Sequence, residues 1–241
     1  MTVRTHFEVG QTALTVVCGK EYLDTVKDAV FRAREILESK IAEDPFFGIT
    51  YDPYPPKEGD DPLIIRMCQA SESAGVGPMA GVAGAVAEFT VSEALRKGCR
   101  HIIVENGGDI AMSSDRISHI GLFAGEKGFE DVALEIPPTN GICGICSSSG
   151  KIGPSVSFGS SGICTVFSEN VILADCCATA LGNMIREGTP EEMSASAESI
   201  CDVEGVDGCL CVCGGRIAIC GTVPELVRGS FDDALLTRVE L

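Results

Sequence analysis

Val3, Thr5, Phe7 and Val9 alternate with Arg4, His6 and Glu8, the period of a strand with one face buried. A Gly-Gln-Thr turn leads into a second apolar run, Ala13–Cys18, and the two predict a hairpin. The pattern then changes period. Leu23, Val26, Val30, Leu37 and Ile41, with Ala33 among them, recur at helical spacing and predict a long amphipathic helix ending before Pro45. Gly48–Pro62 is rich in proline, glycine and acid and predicts a surface loop. Pro62 opens a short helix through Ser73.

Met79–Lys97 repeats with helical period, with small residues in its first half that let a backbone or a ligand approach closely, and Gly98 ends it. His101–Glu105 is a short buried strand, and short strands continue to about Phe167: Ser118–Ala124, Val132–Ile136 and Ile142–Ser147. Val171–Ile185 is a second apolar helix. Thr189-Pro190-Glu191-Glu192 is a capping box that starts a third. The run GCLCVCGGRIAICG reads as a hairpin about Gly214-Gly215. Helices and strands mix without strict alternation and no solenoid period occurs, so the fold class is α+β, read as one domain over residues 1–241.

Composition narrows the function. Apolar residues make up 45% of 241 positions, enough for a large core. The formal charge of -17, with Arg and Lys scattered, lacks the basic footprint that a nucleic acid requires. The N-terminus has no apolar signal region and no stretch approaches the ~20 apolar residues of a membrane span, so the expectation is a soluble, cytoplasmic protein. Thirteen cysteines, an odd number, argue for a reducing compartment over a disulfide framework.

Several places could carry chemistry. Gly75-Val76-Gly77-Pro78 precedes the small-residue helix, whose free N–H groups suit an anion; a tight turn explains the same residues. VENGGDIAM, Val104–Met112, sets Glu105, Asn106 and Asp109 around two glycines where a buried strand ends. The glycines allow positive φ and backbone access, and the acids offer hard oxygens for magnesium or ribose hydroxyls; a bulged turn is the plain alternative. Cys146–Gly150, CSSSG, offers hydroxyls and amides to a phosphate, or is a polar strand exit. On the helix Val171–Ile185 only Asp175, Thr179 and Asn183 are polar beyond small size, and they form one stripe. A carboxylate buried there needs a cation, an arginine or backbone N–H groups.

The cysteines admit two readings. Cys143 and Cys146 have CxxC spacing, and Cys209, Cys211 and Cys213 share a strand face with Cys220 on the returning strand. They are small core residues, or thiolates for an iron–sulfur or zinc site, although no second CxxC completes a frame. His6, His101 and His119 lie beside no Ser or Cys nucleophile in sequence, and no base is identified.

Three stretches in order, GVGPMAGVAGAVAE followed by VENGGDIAM, then CSSSGKIGPSVSFGSSG, then VFSENVILADCCATALGN, resemble the ApbE family of flavin transferases, most closely a small, cytoplasmic, functionally uncharacterised branch. The match runs from about Pro62 to Asn183. The resemblance implies mixed α+β sheets with packed helices and internal duplication. It also implies binding of FAD and Mg2+, since familiar members transfer FMN to a threonine of a target protein. Asn106–Asp109 is similar to the family's Asn-x-Gly-Gly-Asp loop with one residue fewer. Asp175 and Thr179 match the metal-ligating pair of its ADxxxT helix, and Ser148-Ser149-Gly150 resembles its Thr-Ser-Gly segment beside the flavin.

The implied cofactor contacts are therefore Gly77, Pro78, Met79, Asn106, Gly107, Gly108, Asp109, Ser148, Ser149 and Gly150, with metal on Asp175 and Thr179. Three places depart from the family. The HxIDPxTG segment is replaced by KIGPSVSFGSSG, without His or Asp; Ala83-Gly84 stands for a Lys-Gly pair; and Glu88 takes the place of an Asp. The expected function is a Mg-dependent protein for FAD or a related nucleotide diphosphate, with or without transfer activity; a homo-oligomer is compatible with it. This reading requires the Asp175–Thr179 ridge to face the loop at Gly107 across an open gap.

Overall fold

A computed structural model describes residues 1–10, 12–126, 128–129, 131–149 and 161–229. Strands β1 (Thr2–Val9) and β2 (Thr12–Gly19) form the expected antiparallel hairpin, Val9 opposite Thr12; Gln11 of the expected turn lies outside the described residues. Three helices follow: α1 (Leu23–Glu43), α2 (Pro62–Ala74) and α3 (Val82–Arg96). Strands β3 (His101–Asn106) and β4 (Asp109–Ser114) form a second hairpin, then come β5 (Ser118–Gly121) and β6 (Val132–Ile136). The second half repeats the plan: β7 (Cys143–Ser148), β8 (Ile163–Ser168), α4 (Val171–Met184), α5 (Pro190–Cys201), and the hairpin of β9 (Gly208–Cys213) and β10 (Arg216–Gly221). Strand β11 (Glu225–Arg228) ends the described chain.

The large sheet runs β1-β2-β3-β4-β7-β8-β9-β10, antiparallel throughout. Each half is a strand pair, a set of helices and a returning strand pair, so the duplication is visible in the topology. A small sheet, β11-β6-β5, makes a third layer. One core lies between the helices and the large sheet, with Val16, Val104, Ala111, Cys146, Val166 and Cys211 pointing to the helices. The other lies between the sheets, where Met112, Ile145, Phe167 and Leu210 meet Leu134 and Ile136. Strands β4, β8 and β9 are therefore buried on both faces, whereas edge strand β1 alternates.

Helix starts follow local chemistry. The Asp61 carboxylate accepts the Leu63 N–H at 2.8 Å with Pro62 next to it, and Gly75 closes α2 at φ +68°. Thr189 Oγ1 accepts the Glu192 N–H at 3.2 Å, as the capping box requires. Some expectations are corrected. The helix expected from Met79 starts at Val82, because Pro78–Gly81 forms a 3₁₀ turn where Gly81 is pressed against Ile172 and Cys176. Strands β4 and β11 were not anticipated, and β5 stops at Gly121 short of Ala124.

The expected loop after α1 has no regular strand or helix but is firmly held. Lys40, 5% exposed, pairs with Asp60 at 2.5 Å and lies 3.9 Å from Asp44. Asp44 also receives Lys57 at 2.6 Å and the Tyr54 hydroxyl at 2.8 Å. These contacts seat Thr50 and Tyr51 against Gly77, where a Cβ would lie 2.0 Å from the Thr50 carbonyl oxygen. Among the described residues no single helix is long and apolar enough to cross a membrane.

Candidate functional site

The two glycines of VENGGDIAM make the turn between β3 and β4. Gly107 and Gly108 have φ of +67° and +110°, the left-handed pair that a two-residue hairpin needs. Asn106 and Asp109 are consequently direct cross-strand partners. The Asn106 amide donates to the Ala83 carbonyl at 3.1 Å, tying the turn to the start of α3. Asp109 accepts the Ser147 N–H at 3.2 Å and lies opposite Cys146 on β7, on the face turned to the helices. Gly107 remains exposed with open space where a side chain would be.

Helix α4 brings the other half. Asp175 is 6% exposed and its Oδ2 accepts the Gly84 N–H at 2.8 Å. That contact exists because α3 has no side chain there: a Cβ on Gly84 would stand 2.8 Å from the Val171 carbonyl oxygen and 3.0 Å from the Asp175 Cβ. The small residues of α3 thus admit a neighbouring helix. Asn170 caps α4 through the Leu173 N–H at 3.3 Å. Buried Glu88 accepts the Val171 N–H at 2.9 Å and pairs with Arg66 at 2.5 Å, so it anchors the α4 N-terminus.

Asp109 and Asp175 are in hydrogen-bonding contact across the α4–β4 boundary. No gap separates the ridge from the glycine hairpin at this point, which corrects the expected open cleft. Burial pushes the Asp109 pKa up to about 7, against the Ser147 N–H, which lowers it. Burial, and then the charge of Asp109, raise Asp175 well above the carboxylate range. Two carboxylates held this close share a proton or require a cation. Among the described residues no three His, Cys, Asp or Glu side chains are arranged to hold a metal ion. Two carboxylates with the hydroxyl of Thr179, a turn further along the same face and half-buried, fit magnesium, which commonly takes one or two carboxylates and fills its remaining positions from water and ligand phosphate.

Ser148 lies two residues beyond Cys146 on β7, hence on the face of Asp109. Its hydroxyl is buried with no hydrogen-bond partner among the described residues, an uncommon condition that a polar ligand would relieve. The Ser149 hydroxyl donates to the Gly162 carbonyl at 2.7 Å. Gly150 and most of the segment KIGPSVSFGSSG lie outside the described residues. Gly77 is buried under the Thr50–Tyr51 loop, Pro78 is buried, and Met79 is half-buried. Beyond them Gly75 and Val76 line a recess of about 390 Å³ with Ala180, Asn183, Met184 and Arg186. The Asp175–Thr179–Asn183 stripe therefore runs from the buried carboxylates to an open recess.

The cysteine readings also separate. Cys143 packs toward the small sheet and Cys146 toward the helices, because residues three apart on a strand face opposite ways. They cannot converge on one metal. Cys209, Cys211 and Cys213 do share the helix-facing side, as core residues beneath it. Sequence reasoning missed the contact of Asp109 with Asp175 and the anchoring role of Glu88; a buried acid on an otherwise apolar helix was the signal available for Asp175 and for Glu88.

The family model described as AbpE bacteria matches residues 1–211. The UPF0280 protein of Methanothrix thermoacetophila is 42% identical over 98% of this chain and 99% of its own. That of Methanosphaerula palustris is 39% identical, covering 99% of each. Among solved structures, the flavin transferase ApbE from Vibrio cholerae aligns with a TM-score of 0.57 at 11% identity, over 91% of this chain and 96% of its own. The ApbE protein from Thermotoga maritima aligns with a TM-score of 0.58 at 12% identity, over 95% and 97%. The topology is thus the ApbE flavin-transferase fold, and the chain belongs to the AbpE bacteria family, alongside the UPF0280 proteins.

Proposed function

We propose that the chain, acting as one domain, binds FAD or a related nucleotide diphosphate together with Mg2+ at the α3–α4–β4 junction, the cation parting Asp109 from Asp175 and so opening the gap that their direct contact closes. The observation that carries this reading is the buried contact of Asp109 with Asp175, two acids that the fold draws together at a cost only a proton or a cation offsets. Asp175, Thr179 and Asp109 would hold the metal. Asn106, Gly107, Gly108, Ser148, Ser149 and the Gly77–Met79 turn would border the ligand, with Ser148 supplying the hydroxyl that lacks a partner. When bound, Mg2+ supplies charge neutralisation for a diphosphate beside the protein's own acids. The residues orient that diphosphate: Asn106 fixes the hairpin against Ala83, and the Gly84 N–H fixes Asp175. The position of the family's HxIDPxTG segment carries neither His nor Asp, which favours ligand binding over FMN transfer as the retained property.

The test is titration of the purified protein with FAD, with and without Mg2+, followed by flavin fluorescence. Mg-dependent quenching that Asp175→Asn weakens by at least tenfold, with a thermal melt no lower than the parent's, is the expected result. No binding under either condition refutes the proposal, and unfolding of the variant without an effect on binding makes Asp175 structural.

A further inference from the structure

Three thiols meet away from the carboxylate pair. Cys201 closes α5, Cys209 lies on β9, and Cys220 lies on β10, the edge strand of the large sheet. Cys209 and Cys220 are direct cross-strand partners. The Cys201 sulfur is 3.8 Å from that of Cys209, and it packs against β10 at Gly221, next to Cys220. Gly221, at φ +71°, leaves the space the Cys201 side chain uses; a Cβ there would lie 3.2 Å from its sulfur. The three differ in access. Cys209 is fully buried and its thiol donates to the Ala197 carbonyl at 3.4 Å. Cys201 and Cys220 are half-buried.

We propose that Cys201 and Cys220 form a reversible disulfide, a modification site that responds to a disulfide oxidant such as oxidised glutathione. The Cys220 thiolate, on the exposed edge strand, attacks the glutathione disulfide, forms a mixed disulfide and releases one glutathione thiolate. Cys201 then loses its proton to solvent and attacks the Cys220 sulfur, which releases the second glutathione thiolate. Two protein thiols are oxidised and one glutathione disulfide becomes two glutathiones. Burial raises the Cys201 pKa to about 11, which makes it a poor first nucleophile, and its place against Gly221, beside Cys220 on β10, suits it to the resolving step. Cys209, walled in and bonded to the backbone, stays reduced. The new bond joins the end of α5 to the sheet edge and leaves Asp109 and Asp175 untouched.

The experiment uses the full chain, fully reduced and then equilibrated over a range of oxidised-to-reduced glutathione ratios. Free thiols are alkylated under denaturing conditions, counted by mass and located by peptide mapping. Two of the thirteen thiols should disappear as one intramolecular 201–220 link, and the melting temperature should rise by about 5–10 °C. Cys209→Ser should still form the link. Cys201→Ser should stop at one glutathione adduct on Cys220, and Cys220→Ser, at the exposed edge and so the safer variant to fold, should form neither. Absence of the link in fully oxidised glutathione, a link that includes Cys209, or bonds between molecules would overturn the proposal.

Discussion

Gly84→Ala tests the packing on which the site depends. In an ordinary helix interior this change stabilises by about 1 kcal/mol, because alanine has the better helix propensity. Here the added methyl meets the Val171 carbonyl oxygen at 2.8 Å and the Asp175 Cβ at 3.0 Å. The first is backbone and cannot swing aside, so α3 and α4 must part. Overpacking of this kind costs about 1–3 kcal/mol, and a backbone obstacle places this site at the upper end. The net loss is therefore about 2 kcal/mol, or roughly 4–8 °C in melting temperature for a chain of this size. Equilibrium urea unfolding measures it, with Gly141→Ala as the control, since nothing lies within 4 Å of that position and its φ is ordinary. The control should stay within about 0.5 kcal/mol of the parent. If Gly84→Ala equals or exceeds the parent in stability, the helices do not approach as closely as described, and the Gly84–Asp175 bond goes with them.

Other outcomes follow from the same contacts. Asp109 has a folded pKa near 7 against an ordinary 3.8, so the folded chain keeps a proton that the unfolded chain releases. Stability should then fall as pH rises from about 4 to about 7, by at most ~4 kcal/mol for this group, and urea unfolding of Asp109→Asn across that window should show a shallower fall. Glu88→Ala removes the acceptor of the Val171 N–H and leaves Arg66 without that ion pair; a loss of about 2 kcal/mol is expected, measured by thermal melting beside Glu88→Gln, which should lose less. Lys40→Met strips the buried Asp60 of its cation and should cost about 3 kcal/mol in urea, whereas Lys40→Met with Asp60→Leu should recover most of it; equal losses would show that the ion pair is not the cause.

Much of the fold was legible because its signals are local. The alternation in Thr2–Val9, the helical period from Leu23, the caps at Asp61 and Thr189 and the Gly214-Gly215 turn each act within a few residues. Strand β4 escaped because, buried on both faces, Asp109–Ser114 shows no alternation. Strand β11 escaped because Glu225–Arg228 is short and gains its meaning only from pairing with β6. The Pro78–Gly81 turn differs from the helix its pattern predicts because the fit against Ile172 and Cys176 outweighs local preference.

The amino-acid sequence alone determined the α+β class, most helix and hairpin limits, and the chemical character of Asp109, Asp175 and Ser148. Tertiary structure alone decided which of these meet. A strand's period shows that Asp109 can face the helices, and a helix's period shows that Asp175 belongs to one stripe. Neither carries the distance between them. That distance comes from β4 lying beside β7 under α4, and from Gly84 letting α3 close on Asp175. Propensity and capping are interactions of neighbours along the chain, whereas the joining of two buried acids is a property of how distant segments pack.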